Sequence, residues 1–169
     1  MPERIIVSGT GCCLVDLLYN NISFSSSLMK PFLSRKRGDG GLDPGKLVFR
    51  EEFESFGRIS LDDFVNLAAG GRSCDKINTG GPSIVALIHA AQLVNDDICE
   101  VRFYGRSGSD TNGSFLISSL EKTPVILKDL KVIDKPTPST VVLSDPDYDH
   151  GHGERMFINT IGAAWHYSP

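Results

Sequence analysis

A basic excess is missing from this sequence. Over 169 residues the formal net charge is −4, without the electrostatic footprint that nucleic-acid binders show. No apolar run approaches the roughly 20 residues that a membrane span requires. No secretory signal pattern is present; the first apolar run is only Ile5-Ile6-Val7 before Ser8. Cysteine is scarce and unpatterned. Cys12, Cys13, Cys74 and Cys99 show no C-x-x-C spacing, which excludes a zinc ribbon and a redox pair. Thiols in a reducing compartment, and so a soluble cytosolic protein, are expected. The sequons at Asn21 and Asn112 then carry no glycan. The phosphate loop G-x-x-x-x-G-K-[ST] is absent, and Gly9-x-Gly11 lacks the third glycine of a dinucleotide fingerprint. There is no serine nucleophile elbow and no H-E-x-x-H. A hydrophobic content of 40% is enough for the core of one domain, or most of one.

What is present centres on Asn78-Thr-Gly-Gly-Pro-Ser-Ile-Val-Ala-Leu-Ile-His-Ala-Ala-Gln92. Pro82 suits the first position of a helix, where its missing N–H would have been unpaired anyway. The apolar run behind it wraps nearly all round a 3.6-residue period, which predicts a helix buried on most sides. Gly80 and Gly81 make a turn without side chains, open to close approach of a ligand. The helix start offers N–H groups and partial positive charge to polar or anionic groups. A plain tight turn explains the same glycines.

Taken in order, Arg4 to Gly9 reads as a buried strand. Leu14-Val15-Asp16-Leu17-Leu18-Tyr19 is a second apolar stretch broken by one carboxylate. Such an acid is costly unless it is hydrogen-bonded or reaches a wet cleft. Asn20 to Ser60 is irregular, with serines 23 to 27 and the basic residues Lys30, Arg35, Lys36 and Arg37. A mobile loop is expected there, with one or two strands packed outside the main body and Lys46 to Phe53 as a strand. The basic residues read as solvated. Ser60-Leu-Asp-Asp63 reads as a capping box with Asp for the usual Glu, leading a helix to about Ala69. Strands are predicted at Cys74–Thr79, Glu100–Gly105, Val125–Ile133, Ser139–Ser144 and Arg155–Thr160. Helices are predicted at Pro82–Val94 and, capped by Asp110, at Thr111–Glu121. This order indicates an α/β body with a parallel sheet, plus a side sheet.

Asp145-x-Asp147-x-Asp149 resembles the start of a calcium loop. The positions that need Gly and Glu hold His150 and Met156, so a hairpin turn is read instead. His150 and His152 have too few companions for a metal. His89 reads as an interior histidine. Trp165, His166 and Tyr167 read as a surface that packs against something outside this chain. Gly105-x-x-Gly108-x-Asp110-x-x-Gly113 follows a strand and opens a helix, with the glycines shaping the turn.

Together these pieces resemble the N-terminal portion of the ribokinase-like (PfkB) family of carbohydrate and nucleoside kinases. The match runs through Leu14-Val-Asp-Leu17, then Gly80-Gly81 with the helix ending Ala91-Gln92-Leu93, then Gly105 to Gly113. It ends in Pro138-Ser-Thr-Val-Val-Leu143, a turn, Gly153-Glu-Arg-Met-Phe157 and Ile161-Gly-Ala-Ala164. The resemblance implies the first part of a mostly parallel sheet with flanking helices and a small β lid sheet. Residues 1–169 would be an incomplete domain, with about 20–79 and 134–160 contributing lid strands. It implies Asp16, Gly80 and Gly81 as sugar contacts, with Asn159 lining the same cleft as a weaker candidate. A carboxylate accepts hydroxyl hydrogen bonds that are stronger than neutral ones.

The family's Asn a few residues after Gly-Gly is replaced by Ile84 or Val85, according to register. Neither side chain can hydrogen-bond, which bears on the substrate. The family's G-x-G-D segment, with its catalytic base, and its ATP and magnesium sites have no counterpart in the chain. The implied activity is transfer of the ATP γ-phosphate to a sugar hydroxyl by a parent enzyme. ATP and Mg2+ would serve that parent; no catalytic residue and no cofactor are expected in this chain alone. A nucleoside kinase half and a non-catalytic binding module are the alternatives. The implied partners are the sugar, a second copy through the lid sheet, or the missing half; neither nucleic acid nor membrane is implied.

Overall fold

The computed structural model describes residues 5–94 and 98–168. In chain order its elements are β1 (Ile5–Thr10), β2 (Leu14–Tyr19), β3 (Leu47–Phe49), α1 (Arg50–Gly57), α2 (Leu61–Ala68), β4 (Lys76–Gly80) and α3 (Pro82–Leu93). Then follow β5 (Cys99–Gly108), α4 (Thr111–Leu120), β6 (Ile126–Ile133), β7 (Ser139–Asp145) and β8 (Glu154–Thr160). Short helical turns lie at Lys30–Phe32, Tyr148–Gly151 and Gly162–His166. The chain folds as two compact units. The first comprises Met1–Val15, Asn78–Ser139 and Ile161–Pro169; the second comprises Asp16–Ile77 and Thr140–Thr160. Among the described residues no helix is long and apolar enough to cross a membrane.

The first unit is built on an all-parallel sheet in the order β1-β5-β6. β5 is central, and its residues alternate: Cys99, Val101, Phe103 and Ser107 are buried while 100, 102, 104 and 106 are half-buried. That is the period of two that a strand imposes. α3 packs on β1 and β5, and α4 packs on β5. In α4 the buried residues Leu116 and Leu120 fall four apart, on one helix face. α3 crosses β1 closely at Gly9, where an added Cβ would lie 2.7 Å from Leu87 Cδ1.

Two expectations for this unit are corrected. The first strand is exposed rather than buried: Ile5 is 59% and Ile6 51% accessible. Among the described residues it is the edge of a three-stranded sheet, beside β5. Arg4, the start of the predicted strand, lies outside the described residues. The helix α3 is likewise covered on one side alone. Ile84 and Ala91 are buried, whereas Val85 is 37% and Leu93 87% exposed. His89 is exposed, not interior. Trp165, at 76%, is exposed as well, while Tyr167 lies under the Arg106 guanidinium at 5.7 Å.

The second unit carries the second sheet, in the order β3-β8-β7-β2-β4. Here the structure reverses the expectation of a mobile insert. Phe24, Met29, Phe32, Leu42 and Phe53 are buried, and with Val141, Leu143, Met156 and Ile158 they form the core. Phe64 meets Phe32 and Phe53 edge-on, at centroid distances of 4.9 and 4.7 Å. Such aromatic pairs each add about 0.5–1.5 kcal/mol beyond their buried area. Apolar residues spaced irregularly give no period, so the sequence showed no element there. The predicted strand over Lys46–Phe53 is only Leu47–Phe49; α1 begins at Arg50. Glu51 and Glu52 suit its first turn, and Arg50 pairs with Glu54 one turn on at 2.8 Å.

The expected cap at Ser60 is present, but the box is not closed: Ser60 Oγ accepts from the Asp63 N–H at 3.1 Å, and Asp63 Oδ2 takes the Ser60 hydroxyl proton at 2.6 Å instead of the Ser60 backbone N–H. The turn after β7 is also as expected. Buried Asp145 holds it, accepting from the N–H groups of Phe24 at 2.8 Å and Asp147 at 3.0 Å.

Candidate functional site

Asp16 sits midway along β2, in the second unit. On the neighbouring strand β7, Thr140 is 5% exposed. Next comes β8 with Asn159. The Asn159 Nδ2–H donates to Thr140 Oγ1 at 2.9 Å. Burial pushes the Asp16 carboxyl above the usual carboxylate range, and the Thr140 hydroxyl pulls the other way. Asp16 and Asn159 are both half-buried. A half-withdrawn carboxylate and an amide on strands of one sheet are groups that can grip hydroxyls.

The glycine pair lies in the first unit. Gly80 is buried and ends β4. Gly81 has φ +104, and a Cβ there would lie 2.3 Å from the Cys12 carbonyl oxygen. Both the backbone angle and the close approach demand glycine. The helix start behind it is partly engaged: the Ile84 N–H donates to Cys12 O at 3.3 Å, and Ser83 Oγ accepts from the Cys12 N–H at 3.2 Å. The expected residues thus fall into two sets. Asp16 and Asn159 belong to one unit, and Gly80 and Gly81 to the other.

The motif Gly105 to Gly113 is absorbed by structure. Asp110 caps α4, accepting from the Gly113 N–H at 2.8 Å. Its other oxygen accepts from the Thr137 N–H at 2.8 Å, and the Thr137 hydroxyl donates to Oδ1 at 2.5 Å. Thr137 Oγ1 accepts in turn from the Gly108 N–H at 3.1 Å. Burial raises the Asp110 carboxyl, but the hydrogen bonds from Thr137 and Gly113 outweigh it and hold the group low.

Sequence reasoning missed Thr140 and Thr137. The available signal for Thr140 was a lone hydroxyl next to the apolar run Val141-Val142-Leu143. Among the described residues, no group of three His, Cys, Asp or Glu side chains could hold a metal ion. Burial, and Cys12 beside it, push the Cys13 thiol up to about 12, so it is an inert core group.

The fold is that of ribokinase-like kinases. Adenosine kinase from Anopheles gambiae, solved with P1,P4-di(adenosine-5) tetraphosphate, matches at TM-score 0.65 and 16% identity, over 100% of this chain and 42% of its own. Adenosine kinase from Sinorhizobium meliloti matches at 0.63 and 17%, over 98% and 42%. Fructokinase from Halothermothrix orenii matches at 0.53 and 14%, over 97% and 40%. The chain therefore spans about two-fifths of the length of these structures. No family model and no curated protein matches it.

Proposed function

We propose that this chain is the sugar-binding and lid half of an ATP-dependent carbohydrate kinase. The observation that carries the reading is the half-buried Asp16, midway along an apolar strand of the sheet that also holds Thr140 and Asn159. A carboxylate half-withdrawn from water is poorly placed for stability and well placed to accept hydroxyl hydrogen bonds. Asp16, Gly80 and Gly81 would each be contacts of the acceptor sugar. The second unit would act as the lid. Phosphoryl transfer would belong to the larger kinase, with no step of it assigned to this chain. The absence of disulfides among the cysteines supports a place in the cytoplasm. The exposed Ile5 and Ile6 support association with a covering partner, either the remainder of the kinase or a second copy.

A nucleoside acceptor is the second reading. It is favoured by Val85, apolar and 37% exposed in the first turn of α3, and by the adenosine kinases among the matching structures. Titration calorimetry of the chain with ribose, fructose and adenosine separates the two. One of them should bind, and Asp16→Ala should weaken it about 10- to 100-fold, the range for a hydrogen bond to a charged group. Unchanged affinity in a folded Asp16→Ala variant rejects the role of Asp16. Binding of none of the three rejects the acceptor-site reading in favour of a non-catalytic module.

A further inference from the structure

We propose that the turn Ser34–Leu42 is a docking surface for a carboxylate-rich peptide segment of a partner protein, gripped by Arg35, Lys36 and Arg37. The surface lies wholly in the second unit, and the proposal is independent of the acceptor-site reading.

The three basic residues are adjacent in sequence and exposed. The turn that carries them is tied down at both ends. The Ser34 N–H donates to Leu42 O at 2.7 Å, and the Leu42 N–H donates to Phe32 O at 2.8 Å. Phe32 and Leu42 are buried in the core of the unit. One acid holds the inside of the turn. Asp39 Oδ2 accepts from the N–H groups of Arg35 at 2.8 Å and Lys36 at 3.1 Å, and Oδ1 accepts from the Gly41 N–H at 3.0 Å. The Ser34 hydroxyl donates to Lys36 O at 3.0 Å. At Gly40 an added Cβ would lie 2.6 Å from the Glu52 carbonyl oxygen, so the turn sits against α1. The Arg35 guanidinium lies over the Phe56 ring at 5.7 Å, which fixes its direction. Gly38 forms the tip, where an added Cβ meets nothing within 4 Å.

Asp39 is the one acid of the turn, and its oxygens are taken by backbone N–H groups. Among the described residues the side chains of Lys36 and Arg37 make no ion pair or hydrogen bond. Three like charges are thus held side by side, and an anion from outside relieves their repulsion. A fixed turn also removes part of the ordering cost of binding. Shape and charge select the anion. A protruding tip does not enclose a small ion, but it can lie along an extended segment. The two guanidinium groups pair bidentately with carboxylates. Three basic side chains fall short of the about four to eight that hold a protein on an anionic membrane. The net charge of −4 opposes the long polyanion of a nucleic acid.

The test is fluorescence polarisation of a labelled oligoglutamate peptide against the intact chain. The peptide should bind at about 20 mM salt and be released by about 300 mM, because exposed pairs are screened. Lys36→Gln and Arg37→Gln should each weaken binding about 2- to 5-fold, the range for one exposed ion pair. Arg35→Gln, Lys36→Gln and Arg37→Gln together should abolish it. Asp39→Asn separates a shaped surface from bare charge. It removes a negative charge from the turn, so charge alone gives tighter binding. It also turns an amide donor toward the N–H groups of Arg35 and Lys36, so a shaped turn is lost and binding weakens. Weaker binding is the expected result; tighter binding by a folded Asp39→Asn variant overturns the proposal. Three further results overturn it: no binding of oligoglutamate, binding unchanged in the triple variant, or equal or tighter binding of inorganic phosphate, a single-stranded oligonucleotide or phosphatidylserine vesicles. If circular dichroism shows Asp39→Asn unfolded, the Lys36 and Arg37 variants decide, since those side chains hold nothing in the fold.

Discussion

At the scale of single residues, Asp16 carries a conflict between stability and use. Burial raises its carboxyl above the ordinary value of 3.8. The native state therefore holds a proton more tightly than the unfolded chain does. Its contribution to stability is present below pH 3.8 and is lost as pH rises through the raised native value. At neutral pH the ionised acid is a net cost. Asp16→Asn keeps the size of the side chain and removes the charge. The variant should melt at a higher temperature than the wild type at pH 7, with the gap closing below about pH 4, and should bind acceptor less well. Thermal melts across pH check this; a lower melting temperature at pH 7 would show that the carboxylate is better satisfied than its burial indicates. Asp16 was visible in the sequence as a lone acid in an apolar stretch, whereas Thr140 was not. A threonine in a strand is unremarkable until a neighbouring strand supplies its partners.

At the scale of elements, the turn from β5 into α4 is held by one carboxylate with three donors. Asp110 accepts from Gly113, from the Thr137 N–H and from the Thr137 hydroxyl. Asp110→Ala should cost about 2–4 kcal/mol, combining a lost helix cap with a Thr137 N–H left without its acceptor. Thr137→Val should cost about 1–3 kcal/mol. Urea unfolding monitored by circular dichroism measures both. The hydrogen bonds hold Asp110 below its ordinary value of 3.8. Its stabilisation is therefore present above that pH and is lost as pH falls through the lowered native value. Asp110→Asn should flatten that acid limb. The cap itself was legible from the sequence, since Asp before a helical pattern has a local cause. The strand-to-helix change at Arg50 was not. Lys46–Phe53 has the composition of a strand, and burial of Phe53 against Phe64 and Phe32 decided the matter.

At the scale of the whole molecule, β1 combines a free edge with exposed apolar side chains. Ile5 and Ile6 point to opposite sheet faces, as adjacent strand residues must, and both are more than half accessible. Parallel sheets are ordinarily covered on both faces, and an apolar edge recruits other chains. The isolated chain should therefore associate as its concentration rises, and Ile5→Lys with Ile6→Lys should reduce that association. Light scattering after size exclusion measures it; a monomer at every concentration would show that the edge is protected in solution.

The sequence alone determined the order of strands and helices outside residues 20–60, the helix caps, the turn after β7 and the succession of motifs that point to a ribokinase-like fold. Each of these follows from local chemistry: periodicity, glycine and proline punctuation, and side chains that bond to their own backbone. Only the tertiary structure decided which apolar runs are covered and which polar groups meet. Burial is a property of neighbours, so Ile5-Ile6-Val7 reads as an interior strand and stands at an edge. Asp16, Thr140 and Asn159 stand on three strands distant in sequence that lie side by side, and a bond such as that from Asn159 to Thr140 leaves no trace along the chain.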